Sequence, residues 1–492
     1  MVWKEFVVAR KDFFFKIVPI ILIAILLRIY ALDAPLLFFD ESAHAAIVVT
    51  VPEGYKYDPA FHGPLHYYTV APVLKAFGES EFTLRIVPAL LGVLLVASIF
   101  LYKRYLGNKA YIAALFIAIS PLIVNYSRFY REDVYVLLFT SLGLYFFLRY
   151  LEFEKSWKEV KFDKATLHFV LFAIFMALFA TVKETFYVFA FFMVLYGVLV
   201  IKKLRISDLI VASAIFFAIY LTLFSVFWRD NILSFESFPM VKAVSYWYGQ
   251  HVEQRIRGPP YYYLLLLLLY NAPALVLALF AIYNFCRGKE RDEFTRLFIY
   301  LFFANLAFFS YMQEKLPWLV VHIEFPMLLL ASKVVGRRGL VITALFLLYS
   351  CIAINFINPI NYAEPGLYLP TNYEVRDLAL KLSGNETVYF LMNSGEAWPA
   401  VWYVKHYTGK YPYILEKCEK VSADVIVANE SCAFQLGPYG EKIVVRCYNL
   451  WAEEKTWLDP GIVQKLPSFL LLRTPLSNTN RCLNYTTLET LP

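Results

Sequence analysis

Ala110–Leu151 reads AYIAALFIAISPLIVNYSRFYREDVYVLLFTSLGLYFFLRYL. Residues 110–127 and 134–151 are apolar runs close to the ~20 residues that a helix needs to cross a hydrocarbon core. The turn between them holds two arginines and two acids, Arg128, Arg131, Glu132 and Asp133. Apolar runs of membrane length closed by short charged turns predict a polytopic α-helical membrane protein. The pattern continues in both directions. Further runs stand at 13–32 and 84–103 upstream, and at 166–183, 185–202, 208–228, 260–285, 294–312, 316–334 and 338–357 downstream. Eleven spans are expected.

Composition agrees. Hydrophobic residues make up 60% of the 492 and charged residues 17%, where soluble domains carry about 25% charge. An ordinary soluble enzyme, a disordered chain and a disulfide-dense scaffold are excluded. The net charge of +7 belongs to cytoplasmic loops rather than to a nucleic-acid surface. The first run is not a cleavable leader, because it leads straight into further spans and no small-residue site follows Arg28.

Lys and Arg set the orientation. With the N-terminus inside, the inner segments hold Lys4, Arg10, Lys11 and Lys16, then Lys103, Arg104 and Lys109, then Lys155, Lys158, Lys161 and Lys164. Lys202, Lys203 and Arg205, Arg287 to Arg296, and Lys333, Arg337 and Arg338 continue the series. The outer loops are longer and carry fewer, so the positive-inside rule places the N-terminus in the cytoplasm of a plasma-membrane protein. The first outer loop, 33–83, contains apolar stretches Ala43–Val51 and Leu65–Phe77, read as helices on the membrane surface. A second outer loop covers 229–259.

The chain divides into a transmembrane domain, 1–357, and a small extracytoplasmic α/β domain, 358–492. In the latter Thr387–Met392, Asp424–Ala428 and Lys442–Cys447 read as strands and Ala397–His406 as a helix. It holds four of the six cysteines, Cys418, Cys432, Cys447 and Cys482, for which three pairings are open. Sequons at Asn385, Asn429 and Asn484 fit an exported location.

Ionisable residues collect at the outer span ends. Asp40 and Glu41 follow the first span; adjacent carboxylates at an apolar boundary ionise unequally, which leaves one as a general base. Capping of a helix explains the same pair equally well. His44, His62 and His66 share this loop with them, and imidazole with carboxylate can hold zinc or manganese. Aromatic packing, with Pro64 opening a helix, is the plain alternative. The 128–133 turn offers arginine for phosphate oxygens, or four charges that pair with one another. Lys183 and Glu184, and Glu314 and Lys315, sit in tight turns at the same side, where charges are costly and often functional. The spans themselves look clean, which favours a reaction centre at the outer leaflet over a transport path.

These residues resemble the GT-C superfamily of polytopic glycosyltransferases, in the branch of the dolichyl-phosphate-mannose protein mannosyltransferases and the aminoarabinose lipid A transferases. The family's acidic pair is matched by Asp40-Glu41, and its His-Pro-Pro-Leu-like element by His62-Gly63-Pro64-Leu65. The arginine-led helix start is matched by Arg85-Ile86-Val87-Pro88-Ala89-Leu90-Leu91-Gly92, and the Ser-Arg-x-x-x-x-Asp element by Ser127-Arg128 and Asp133. Lys183-Glu184 and Glu314-Lys315-Leu316-Pro317-Trp318 resemble a narrower, mostly archaeal subfamily labelled as flippase-associated. The C-terminal domain does not resemble the β-trefoil of eukaryotic protein mannosyltransferases.

The resemblance implies an inverting transferase that moves a sugar from a polyprenyl- or dolichyl-phosphate donor to a protein or lipid-linked glycan acceptor. It implies Asp40 as base with Glu41 beside it. Arg128, Lys183, Lys315 and Arg85 would bind the donor phosphate. Glu132, Asp133, His62 and Glu184 would orient the substrates. No cofactor is required; a divalent metal would draw on Asp40, Glu41, His44, His62, His66 and Asp133. Two other functions compete. An oligosaccharyltransferase would bring a Trp-Trp-Asp motif, which this sequence lacks. A flippase of lipid-linked sugars would bring polar residues deep in the spans.

Overall fold

The structure, a computed structural model, describes residues 13–200, 203–253, 256–289, 291–359, 364–368, 370–436, 439–448, 464–466, 468–470 and 481–488. Every one of the eleven apolar runs is helical over most of its length. Among the described residues, seven helices are long and apolar enough to cross a membrane, and eight if Lys109–Ile119 and Pro121–Ser127 form one bent span. Seven or eight of the eleven expected spans reach that length, and the others are shorter among the described residues. Lys164–Ala180 and Thr185–Leu199 have 17 and 15 residues. At about 1.5 Å per residue the shorter reaches ~22 Å, against a ~30 Å hydrocarbon core. The turn Thr181–Glu184 cuts both short by drawing the chain into a polar centre. Leu22, Leu94, Val194 and Phe217 lie exposed on the helix surfaces, an apolar exterior that suits lipid and not water. The protein is integral to a membrane.

Buried arginines repair the helix breaks. Pro121 has no N–H to give the preceding turn, Ser120 caps the new start through Ile123 N at 3.2 Å, and the axis bends by 61°. The break strands the carbonyls of Ile117 and Ala118, which accept from Arg28 at 3.2 and 3.0 Å. The first loop forms the helices Phe39–Val48 and Leu65–Phe77, the first starting four residues earlier than Ala43. The second loop contributes Pro239–Glu253.

The C-terminal part forms a five-stranded sheet in the order β2-β1-β3-β5-β4, from β1 Val388–Leu391, β2 Tyr413–Leu415, β3 Val425–Asn429, β4 Tyr439–Tyr448 and β5 Arg481–Leu488. β1 runs parallel to β2 and β3, and β5 antiparallel to β3 and β4. The expected helix is Ala400–Thr408, opened by Pro399. Strands β2 and β5 carry no strong alternation in sequence and were not expected.

This sheet is fastened to the first loop. Its buried Phe390, Val427 and Tyr485 share one apolar cluster with Leu37, Val48 and Tyr67. Leu37 N donates to Tyr403 Oη at 2.8 Å and Thr371 Oγ1 donates to Leu37 O at 2.8 Å. Trp402 Nε1 reaches Glu79 at 2.7 Å. The clamp at Leu37 fixes the chain just ahead of the helix that presents Asp40.

Cys418 and Cys432 form a disulfide, and the ladder sets Cys447 opposite Cys482. Peptide mapping without reductant should recover Cys418 linked to Cys432. Recovery of a Cys418–Cys447 or Cys418–Cys482 link would contradict this part of the fold.

Candidate active site

Glu132 and Asp133 lie side by side, both wholly buried. A carboxylate in such a place needs cations or hydrogen bonds around it. Asp133 Oδ1 accepts from Lys183 Nζ at 2.7 Å and lies 3.6 Å from His322 Nε2. Glu132 Oε2 is 3.8 Å from Lys183 Nζ, 3.6 Å from Arg131 Nη2 and 3.7 Å from His62 Nε2. Its Oε1 faces His44 Nε2 at 3.2 Å and His66 Nε2 at 3.4 Å. Arg131 turns its other end to Asp40, with which it forms an ion pair. Its guanidinium lies 4.1 Å from the centre of the Trp318 ring, a cation–π contact. Five segments thus meet: the two helices of the first loop, the 128–133 turn, the 181–184 turn and the start of the span Pro317–Val334.

Local backbone explains how they meet. Gly63 N donates to Val182 O and Leu65 N to Thr181 O, both at 3.0 Å. A Cβ on Gly63 would stand 2.3 Å from Thr181 O, so the position that the family fills with proline needs glycine here. This pairing brings His62 Nδ1 within 2.6 Å of Glu184 Oε2, while Tyr57 Oη donates to Glu184 Oε1 at 2.9 Å.

Several expected roles change. Glu41 takes Arg85 in a bidentate pair, Nε to Oε1 and Nη2 to Oε2, both at 2.7 Å. Arg85 also donates to the carbonyls of Leu32, Pro35 and Leu36. With both groups buried and satisfied, neither Glu41 as a catalytic acid nor Arg85 as a phosphate contact fits the geometry. They staple the loop that leads to Asp40. Arg128 donates to the carbonyls of Leu27, Arg28, Tyr30 and Ala31 at 2.8–3.3 Å, where the helix Val18–Ile29 ends. It caps that helix and does not line the cavity described below. Burial pushes its pKa down to about 10, with Arg85 adding to the effect. Lys315 spends its three N–H groups on the carbonyls of Phe309, Ser310 and Met312, at the end of the helix Glu293–Tyr311, and burial pushes it down to about 8. Arg128, Lys183 and Lys315 therefore do not converge as one phosphate clamp. Asp40 and Glu41 stand apart from the imidazoles, so the metal set read from sequence reduces to His44 and His66, joined by Glu132.

Three residues were missed. Arg131 had the same standing in sequence as Arg128. His322 is an ionisable residue within an apolar run, a signal that was available. Trp247 stacks on His62 with ring centres 6.0 Å apart and planes at 9°; nothing in its loop announces that.

A cavity of about 500 Å³ opens against this cluster, lined at its polar end by His62, Lys183, Glu184 and Glu314 and roofed by Trp247 and Trp318. Its other walls are apolar. Among the described residues Asp133 is the one hydrogen-bond partner of Lys183, so the ammonium keeps donors for an anion. A second apolar groove of about 750 Å³ lies between the two short helices and Ile206–Phe224, and Tyr187 lines both spaces. Burial opposes ionisation of Glu132, yet the charged groups around it, Arg131 among them, hold it well below the usual carboxylate range. Asp40 differs from its neighbours: its side chain keeps 23% of its surface exposed, against 0% for Glu132 and Asp133.

Residues 61–228 match the sequence profile of the dolichyl-phosphate-mannose-protein mannosyltransferase family. That stretch contains the histidines, the 128–133 turn and Lys183. The fold is shared with ArnT from Cupriavidus metallidurans bound to undecaprenyl phosphate, at TM-score 0.66 and 12% identity, over 96% of this chain and 97% of that one. The chain thus has the ArnT fold, and its residues 61–228 match the mannosyltransferase profile. The apo form of the same ArnT aligns at TM-score 0.64 and 13% identity, over 87% and 97% of the two chains. The archaeal oligosaccharyltransferase AglB from Archaeoglobus fulgidus, in complex with an inhibitory peptide and a dolichol-phosphate, aligns at 0.53 and 14% identity, over 85% and 69%. No curated protein matches the sequence. In this chain the charged cluster sits where the first loop meets the helical body.

Arg128→Met separates capping from phosphate binding. Each carbonyl left unpaired costs about 1–3 kcal/mol, so thermal unfolding in detergent should move down clearly. Donor-lipid affinity of the folded fraction should stay within about two-fold. A large affinity loss with unchanged stability would restore Arg128 to the phosphate site.

Proposed function

We propose that this protein transfers one sugar, with inversion, from a polyprenyl- or dolichyl-phosphate to a hydroxyl on a protein or lipid-linked glycan. The observation that carries this reading is Asp40, a partly exposed carboxylate paired with Arg131, whose guanidinium lies on Trp318 at the wall of an apolar cavity with Lys183 at its polar end. The chemistry requires that pairing. A bond forms between the acceptor oxygen and the anomeric carbon while the bond from that carbon to the phosphate oxygen breaks. The acceptor proton passes to Asp40, and charge grows on the lipid phosphate, where Lys183 and Arg131 offset it. Arg131 also keeps Asp40 ionised and oriented through their ion pair.

The remaining acids have different work. Asp133 holds Lys183 in place, and Glu184 holds His62. The lipid tail fits the apolar wall beneath Trp247 and can continue past Tyr187 into the larger groove. ArnT and AglB, in the forms above, bind undecaprenyl phosphate and dolichol-phosphate, which supports a carrier of this class here. The Lys and Arg distribution supports a site on the extracytoplasmic face.

Asp40→Asn tests the assignment. Asparagine keeps the shape of the side chain but cannot take the proton. Single-turnover transfer at saturating donor should fall by at least ~10²-fold, the low end for general-base catalysis, with donor affinity within a few-fold of the parent. Transfer within a few-fold of the parent would remove Asp40 as base.

A further inference from the structure

The histidines of the first loop are not used by the transfer chemistry, and their protons can be located. Tyr67 has one hydroxyl hydrogen, and it goes to Phe61 O at 2.9 Å. Its 2.6 Å contact with His44 Nδ1 therefore has the imidazole as donor. His66 Nδ1 lies 3.0 Å from Gly63 O; a carbonyl only accepts, so that nitrogen too carries the hydrogen. In both neutral rings Nε2 is then a bare lone pair. Both lone pairs face Glu132 Oε1, at 3.2 and 3.4 Å. This is acceptor against acceptor. His66 Nε2 and both oxygens of Glu132 are buried and make no hydrogen bond.

We propose that His44, His66 and Glu132 hold one divalent cation of the imidazole-binding class, zinc first among them. One atom from each of the three lies within 4.8 Å of the others, and all three residues are buried. Zinc–nitrogen and zinc–oxygen bonds of about 2.0–2.1 Å give a tetrahedral edge of ~3.3 Å, which the 3.2 and 3.4 Å separations match. Each ring already donates its other N–H, His44 to Tyr67 and His66 to a carbonyl, the second-shell arrangement that orients metal-binding histidines. His62 stands further out, held by Glu184, and leaves the fourth position to water. The cation turns a repulsive contact into a cross-link between both first-loop helices and the 128–133 turn. It is a positioning site beside Asp40, and this inference adds to the glycosyl-transfer reading without depending on it.

The test uses the full-length protein without a histidine tag, stripped with a chelator, exposed to excess Zn²⁺ and desalted. Elemental analysis should find about one zinc per chain. Co²⁺ in its place should give the intense visible bands of a tetrahedral site. His44→Ala and Glu132→Gln should lower bound zinc at least five-fold, while His168→Ala, a histidine remote from the cluster, should not. Tyr67→Phe keeps every ligand and removes the acceptor of His44 Nδ1–H together with the donor to Phe61 O, so its zinc affinity should fall about 10–100-fold. That variant and the Co²⁺ spectrum decide the matter if the ligand variants fail to fold. A parent protein that takes up no zinc, or a Tyr67→Phe protein with unchanged affinity, would overturn the proposal. Metal content is read without any transfer assay, so a failure here stays distinct from a failure of the glycosyl reading.

Discussion

Two adjacent carboxylates, Glu132 and Asp133, are sealed inside the protein, and an ionised pair cannot stand in an apolar interior alone. The rest of the architecture answers that demand. Lys183 arrives from the break between two short helices and Arg131 from the turn itself. The two helices around Lys183 are too short to span because the chain must turn where the charge is needed. The glycine at 63 exists because the first loop must lie against that turn at backbone distance. Stability and function share one set of groups: the cations that make the buried acids tolerable are those that can meet a lipid phosphate.

The arginines divide the labour. Arg28 and Arg128 satisfy carbonyls at helix breaks, and Arg85 staples the first loop through Glu41. These are buried and bound to backbone carbonyls or to Glu41, so they set shape. Arg131 and Lys183 have fewer hydrogen bonds, and Lys183 lines the cavity with donors left for a ligand. The C-terminal sheet contributes by gripping Leu37 and Glu79, which holds the entrance to the Asp40 helix from outside the helical body.

The helical body and three of the five strands of the C-terminal sheet were legible from apolar run lengths and from alternation, because burial in lipid or against a helix leaves those periods in the sequence. The clustering of charge at one end was legible too. What each charge does was not. Asp40 and Glu41 are consecutive on a helix, about 100° apart around its axis, and the sequence does not say which faces Arg85. Arg128 and Arg131 flank an irregular turn, so which one turns inward depends on backbone angles set by distant contacts. Glu132 as the meeting point of three histidines depends on residues up to 88 positions away, and a one-dimensional pattern carries no such information. His322 was the exception, since a histidine within an apolar run is a signal in its own right.

The account rests on the claim that the lipid phosphate sits against Lys183 and Arg131, across from Asp40. A structure of the protein with a polyprenyl phosphate in a lipid nanodisc addresses this directly. Phosphate oxygens within hydrogen-bonding distance of Lys183 Nζ, with the isoprenoid running under Trp247, are the predicted result. A phosphate seated against Arg128 or Lys315, or at the opposite end of the helices, would contradict the account.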